Sequence, residues 1–189
     1  MKSKSSHFKS LLLSFLPAIT MLLWSPDLSA QNSTSSPGTN STISISIAVP
    51  ERGGQRSIEN RGQESHFHVI LSNVSDQPQR LWREWCSWGY SALSFEISDK
   101  AGKTSMIKKR PKAWSKNYPD FCTLQPGETL VIDVYFLAQD VWDNFPKPRG
   151  EGEAFTIRAI YEVRSEEWSQ KYSVWTGRVV SKAATYVLR

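Results

Sequence analysis

Between Leu81 and Tyr90 the sequence reads LWREWCSWGY, which crowds Trp82, Trp85, Trp88, Tyr90 and one of only two cysteines into ten residues. Flat, rigid rings stack on sugar or peptide faces at low entropy cost, so the chemistry they offer is recognition. The plainer use of the same rings is to fill a core and a satellite cluster beneath a loop. If the stretch is extended, Trp82, Cys86, Trp88 and Tyr90 share one face, and Leu81, Arg83 and Trp85 share the other. Each face then carries a tryptophan, and one of them is expected at the surface. A second candidate lies downstream. Lys108, Lys109, Arg110, Lys112 and Lys116 form a basic run interrupted by Trp114 and followed by Tyr118. Cations interleaved with rings suit an anionic polymer, although a solvated loop needs the same residues. The candidate binding surface is therefore Trp85, Lys109, Arg110, Trp114 and Tyr118.

Catalytic and metal chemistry find little support. His66 and His68 lie two apart, so on a strand their imidazoles share a face and could begin a copper or zinc site. The sequence offers no third ligand beside them, and no metal or cofactor is expected. There is no G-x-S-x-G elbow, no third histidine beyond residue 30, and the carboxylates Glu84, Asp133, Asp140 and Asp143 are scattered. The chain reads as a non-enzyme.

The start of the chain sets the compartment. Lys2, Lys4 and Lys9 precede the apolar run Leu11 to Trp24, and Leu28-Ser29-Ala30 offers a small-residue cleavage site. This is the layout of a secretory signal peptide over residues 1–30, with an uncleaved N-terminal anchor as the alternative. Export to the periplasm or medium follows. Loss of those three lysines and Asp27 takes the formal charge from +5 to +3, too small a surplus to argue for nucleic acid. After cleavage no membrane span is expected, and the chain is taken as a monomer. In an oxidising compartment Cys86 and Cys122 are expected to form one disulfide closing a 37-residue loop, stabilising by roughly 4 kcal/mol in the chain-entropy model.

These residues must be positioned by a β scaffold. Residues 31–42 are a Ser/Thr/Asn-rich flexible linker, and residues 43–189 form the folded domain. Ile43, Ile45, Ile47 and Val49 alternate with small or polar residues, Phe67, Val69 and Leu71 with His66, His68 and Ile70, and Leu93, Phe95 and Ile97 continue the pattern. The same period recurs at Leu130 to Phe136 and at Phe155 to Tyr161. Residues 51–64 read as a charged loop, 73–78 and 125–128 as turns, 99–103 as a hairpin turn, and 109–123 as irregular. A short helix is expected only around Ala138 to Phe145, and Glu166-Glu167 fall in a connection. The sum is an all-β chain, an antiparallel immunoglobulin-like β-sandwich of about seven to nine strands.

The order SNVSDQP, SALSFEISDKAGK, LQPGETLVIDVYF, covering roughly Phe67 to Phe136, resembles the bacterial intracellular proteinase inhibitor domain. The later FTIRAIYEV and VWTGRVVS resemble the closing strands of immunoglobulin-like domains in exported bacterial proteins. The resemblance implies a sandwich that works by binding. It also implies an alternative activity, a proteinase inhibitor presenting the disulfide-pinned 109–123 loop. One departure stands out, since Trp88 follows Cys86 by only two residues. The expected bridge is thus a staple between a strand and an excursion and does not pin one sheet to the other. The expected function is an exported, non-catalytic binding or accessory domain whose partner is an envelope glycan or protein.

Overall fold

The computed structural model describes residues 41–52, 54–58, 66–136, 141–144 and 152–188. The expected signal peptide and most of the linker lie outside the described residues. The strands are β1 (Ile43–Ala48), β2 (Glu51–Arg52), β3 (Gln55–Ile58), β4 (His66–Asn73), β5 (Gln79–Trp82), β6 (Leu93–Ser98), β7 (Thr104–Lys109), β8 (Phe121–Leu124), β9 (Thr129–Tyr135), β10 (Trp142–Asp143), β11 (Glu153–Val163), β12 (Gly177–Val180) and β13 (Ala184–Leu188). Two one-turn helices, α1 (Ser87–Tyr90) and α2 (Glu167–Lys171), interrupt them.

The alternating segments become strands because period-2 alternation lets one face dry out while the other stays wet. β1, β4 and β9 form a three-stranded antiparallel sheet with β4 in the middle. A larger sheet runs β10-β7-β6-β11-β13-β3-β2, with β12 also paired to β11. A separate ribbon joins β5 to β8. The core lies between the inward faces. Phe67 of β4, Val134 of β9, Phe95 and Ile97 of β6 and Ile157 of β11 are all buried. Edge-to-face ring contacts bind the layers, with Phe95 5.6 Å from Phe67, 5.0 Å from Phe136 and 5.4 Å from Trp142 between ring centroids.

Two turns behave as their sequences require. Gly127 has φ +81° in the 125–128 turn, the left-handed conformation that position needs. Asn73, only 1% exposed, ties that turn to the one it starts itself. Its side-chain amide donates to the carbonyls of Gln77 (2.8 Å) and Leu124 (2.9 Å), and its side-chain oxygen accepts from the Ser75 amide.

Several local expectations are corrected. The 51–64 loop contains β2 and β3, and β3 pairs in parallel with β13. Its charged residues hide a pairing that is anchored by a single core side chain, Ile58. Of the helix expected over 138–145, residues 141–144 are described, and there Trp142–Asp143 form a short strand against β7. The Glu166-Glu167 connection is α2, started by a capping box in which the Glu166 carboxylate and the Ser169 hydroxyl each meet the other residue's backbone amide. Among the described residues no helix is long and apolar enough to cross a membrane.

Candidate functional site

The stretch 81–90 is not extended throughout. β5 ends at Trp82, a turn follows, and residues 87–90 make one helical turn. Gly89 allows this, because the chain folds so tightly that a Cβ there would overlap the Arg83 carbonyl group and lie 2.9 Å from the Trp82 Cβ. The turn separates the three tryptophans into different roles. Trp82 is 2% exposed, Trp88 is half-buried, and Trp85 is 73% exposed.

Trp82 and Trp88 belong to a ring cluster that the sequence does not advertise. They stack at 5.5 Å, Trp88 meets Trp168 at 5.1 Å, Trp168 stacks on Tyr172 at 5.9 Å, and Tyr172 returns to Trp82 at 5.9 Å. Phe121 of β8 joins the cluster, with the Arg80 guanidinium above it. The cluster holds the β5–β8 ribbon to α2, and backbone bonds reinforce it: Arg80 donates from its side chain to Tyr172 O (2.8 Å), and Trp175 N donates to Arg80 O (2.8 Å). The packing use accounts for these rings. The only sequence signal for α2's part in it is the four-residue spacing of Trp168 and Tyr172, which puts both rings on one side of a helical turn.

The basic run is broken up by its partners. Lys109 is 8% exposed at its side chain and forms an ion pair with Glu84. Its ammonium also lies 4.9 Å from the Tyr90 ring centre and 5.5 Å from that of Trp142. Arg110 pairs with Asp143 of β10 at 2.7 Å. Lys112 sits 4.7 Å over Trp114, which itself packs edge-on against Tyr90. Two of the five predicted surface residues, Lys109 and Arg110, are thus committed to ion pairs, and Trp114 is half-buried beneath a lysine. Trp85 and Tyr118 remain, and each is 73% exposed. One clamp brings their segments together. The Asn117 side chain accepts from Ser87 N (2.9 Å) and donates to Ser87 Oγ (2.7 Å), so Trp85 lies two residues before one side of the clamp and Tyr118 one residue after the other.

Cys86 and Cys122 are free thiols in the structure, where the sequence led us to expect a bridge. Both converge on the same region. Cys122 stands opposite Leu81 in the ribbon, while the Cys86 thiol points at the carbonyls of Arg83 (3.3 Å) and Asp120 (3.5 Å). Burial pushes the Cys122 thiol pKa up. The buried Tyr161 phenol feels both cysteines and Glu84, yet burial is the main cause that drives its pKa well above the ordinary tyrosine range. Its hydroxyl has no protein hydrogen-bond partner among the described residues. Tyr161→Phe should therefore leave stability unchanged or raise it by up to about 1 kcal/mol, since the hydroxyl is desolvated without return. The pH dependence has a definite sign. The unfolded phenol ionises near 10 while the folded one resists, so Tyr161's contribution is complete below pH 10 and is lost as pH rises beyond it. Chemical denaturation of both proteins between pH 8 and 11 should show a shallower alkaline loss in Tyr161→Phe, and equal slopes would contradict this assignment.

His68 is engaged by Asp133 directly across the β4–β9 ladder, Nδ1 to Oδ1 2.7 Å. Among the described residues no group of three His, Cys, Asp or Glu side chains could hold a metal ion.

Compared with known proteins, the chain matches no family model. No curated protein matches it either. The functional reading therefore rests on the geometry.

Proposed function

We propose that the chain is an exported, non-catalytic immunoglobulin-like domain that binds an envelope glycan through Trp85 and Tyr118. The observation that carries the reading is their exposure: the other aromatic residues around them pack against protein, whereas these two present their rings to solvent on either side of a hydrogen-bonded clamp. Rings held this way suit the apolar faces of sugar units. The strand arrangement supports the fold assignment. β1, β4 and β9 correspond to strands A, B and E of an immunoglobulin-like sandwich, and β7, β6, β11 and β13 to C′, C, F and G. In this reading residues 1–30 are the export signal, and Cys86 and Cys122 close into a disulfide in the oxidising compartment, fixing the ribbon beneath the clamp.

Lys109 and Arg110 are spent on Glu84 and Asp143, and Lys116, one residue before Asn117, is the exposed cation left beside the clamp. Binding of a neutral glycan there should depend weakly on salt. The test is co-sedimentation of the purified chain with peptidoglycan sacculi, chitin and cellulose. At least one should retain the native protein, and Trp85→Ala and Tyr118→Ala should weaken retention about tenfold or more, as expected for losing a ring at the centre of a contact, with melting temperature unchanged. Retention of both variants at the native level would remove the junction from the binding surface. A second reading, a proteinase inhibitor presenting residues 110–120, draws on the same clamp, which fixes the loop at Asn117. It predicts stoichiometric loss of a protease's activity, weakened by Asn117→Ala.

A further inference from the structure

A groove of about 570 Å³ lies on the outer face of the large sheet and reaches Ser87 of the clamp at one end. Its floor comes from residues that alternate outward from the core: Ser94 of β6, Met106 and Lys108 of β7, Ile160 and Glu162 of β11. The register explains their meeting, since Ser94 stands opposite both Lys108 and Ile160, and Glu162 opposite Arg178. The Trp88 side of the ring cluster forms one wall, and the residues that enter α2, Arg164 and Glu166, form another. A groove of this volume is large enough for a ligand of one or two sugar units.

The charges in it are unequal in how they are spent. Glu162 is paired with Arg178 at 3.6 Å. Glu166 is turned back onto its own helix, where its carboxylate accepts from the Ser169 amide. Lys108 and Arg164, in contrast, have no ion-pair partner among the described residues, and both are exposed. The Ser91 and Ser94 hydroxyls also line the groove, and neither makes a hydrogen bond within the described protein. The unsatisfied capacity of the groove is thus two cations and two hydroxyls, beside the half-buried side chains of Met106 and Trp88 over a buried Ile160.

We propose that this groove binds an acidic sugar, a uronic-acid unit whose carboxylate is taken by Arg164 and Lys108. A guanidinium donates two parallel hydrogen bonds to a carboxylate, the ammonium adds a second charge, and the serines match ring hydroxyls. Met106 and Trp88 take the C–H face of the ring. Densely charged polyanions fit less well, because Glu162 and Glu166 also line the groove. The groove and the junction meet at Ser87, but different ligand-binding residues and a different ligand charge separate the two.

The experiment is isothermal titration of the purified full chain with trigalacturonate, with neutral maltotriose as the uncharged counterpart and a short oligoglutamate peptide as an acidic non-sugar. Trigalacturonate should bind and maltotriose should not. Arg164→Ala should weaken binding by at least about tenfold, as expected for loss of a charge-assisted bidentate contact. Arg164→Lys should recover part of it, and raising salt should weaken the native protein toward the variant. Trp85→Ala should bind trigalacturonate normally, so a failure of the junction and a failure of the groove give different patterns. Equal binding of trigalacturonate and maltotriose, no effect of Arg164→Ala in a protein with native melting, or preference for oligoglutamate would each overturn the proposal.

Discussion

Phe95→Ala is expected to lower unfolding stability by about 3–5 kcal/mol, the range for emptying a well-packed phenylalanine site. Phe95 is fully buried, and its ring meets those of Phe67, Phe136 and Trp142 at centroid distances of 5.0–5.6 Å. These neighbours come from β4, the end of β9 and β10, so the cavity would open where the two layers meet. Three rings held by their own strands can collapse only partly into it. For a domain of this size the melting temperature should fall by roughly 10 °C. Thermal denaturation followed by circular dichroism checks this. A loss below 1 kcal/mol would mean that the layers do not close around Phe95.

Gly89→Ala should have an effect of similar size for the opposite reason. At Phe95 atoms are removed, whereas at Gly89 one carbon is added where there is no room. The new Cβ would overlap the Arg83 carbonyl oxygen and lie 2.7 Å from its carbon. Neither is the end of a flexible side chain, so the 83–90 turn must open. Opening it breaks the Tyr90 N to Cys86 O bond (2.9 Å) and moves Trp88 away from Trp82. A cost of at least about 3 kcal/mol is expected, at the upper end for overpacking because backbone has to move. The same substitution should disturb the clamp at Ser87 and so weaken glycan retention even at temperatures where the protein remains folded. Native stability in Gly89→Ala would show that the turn is looser than described.

The strands were legible because their code is local. Ile43 to Val49, Phe67 to Leu71, Leu93 to Ile97 and Leu130 to Phe136 each alternate over at least five residues, and burial follows that alternation in β6 and β9. Turns with Pro-Gly or Asp-x-x-Gly chemistry were legible for the same reason. The 81–90 stretch was not, because a four-residue helical turn is too short to leave a period, and Gly89 marks it only through contacts with Arg83. β3 was hidden because it sends one side chain, Ile58, into the core, and a single apolar residue leaves no period.

The candidate site shows the same division. Trp85 and Tyr118 were identified from residue type and prove to be exposed. Lys109 and Arg110 read as part of a charge run, and the structure pairs both, burying Lys109 and leaving Arg110 exposed. Their partners Glu84 and Asp143 lie 25 and 33 positions away, and nothing local announces those pairs. Trp168 and Tyr172 were missed because their contacts with Trp82 and Trp88 span some eighty residues of chain. Charge and aromatic content show what a segment can do, and only the fold shows which of those capacities are already used.

The central claim is that Trp85 and Tyr118 receive the ligand while the neighbouring tryptophans serve packing. Two-dimensional NMR of the 15N-labelled chain tests it directly, because each tryptophan has its own indole N–H signal. On titration with a soluble, uncharged fragment of whichever glycan the protein retains, which the groove does not take, the Trp85 indole signal should shift progressively. The signals of Trp82 and Trp88, held within the ring cluster, should stay in place. Shifts at Trp82 or Trp88 with Trp85 unmoved would contradict the account.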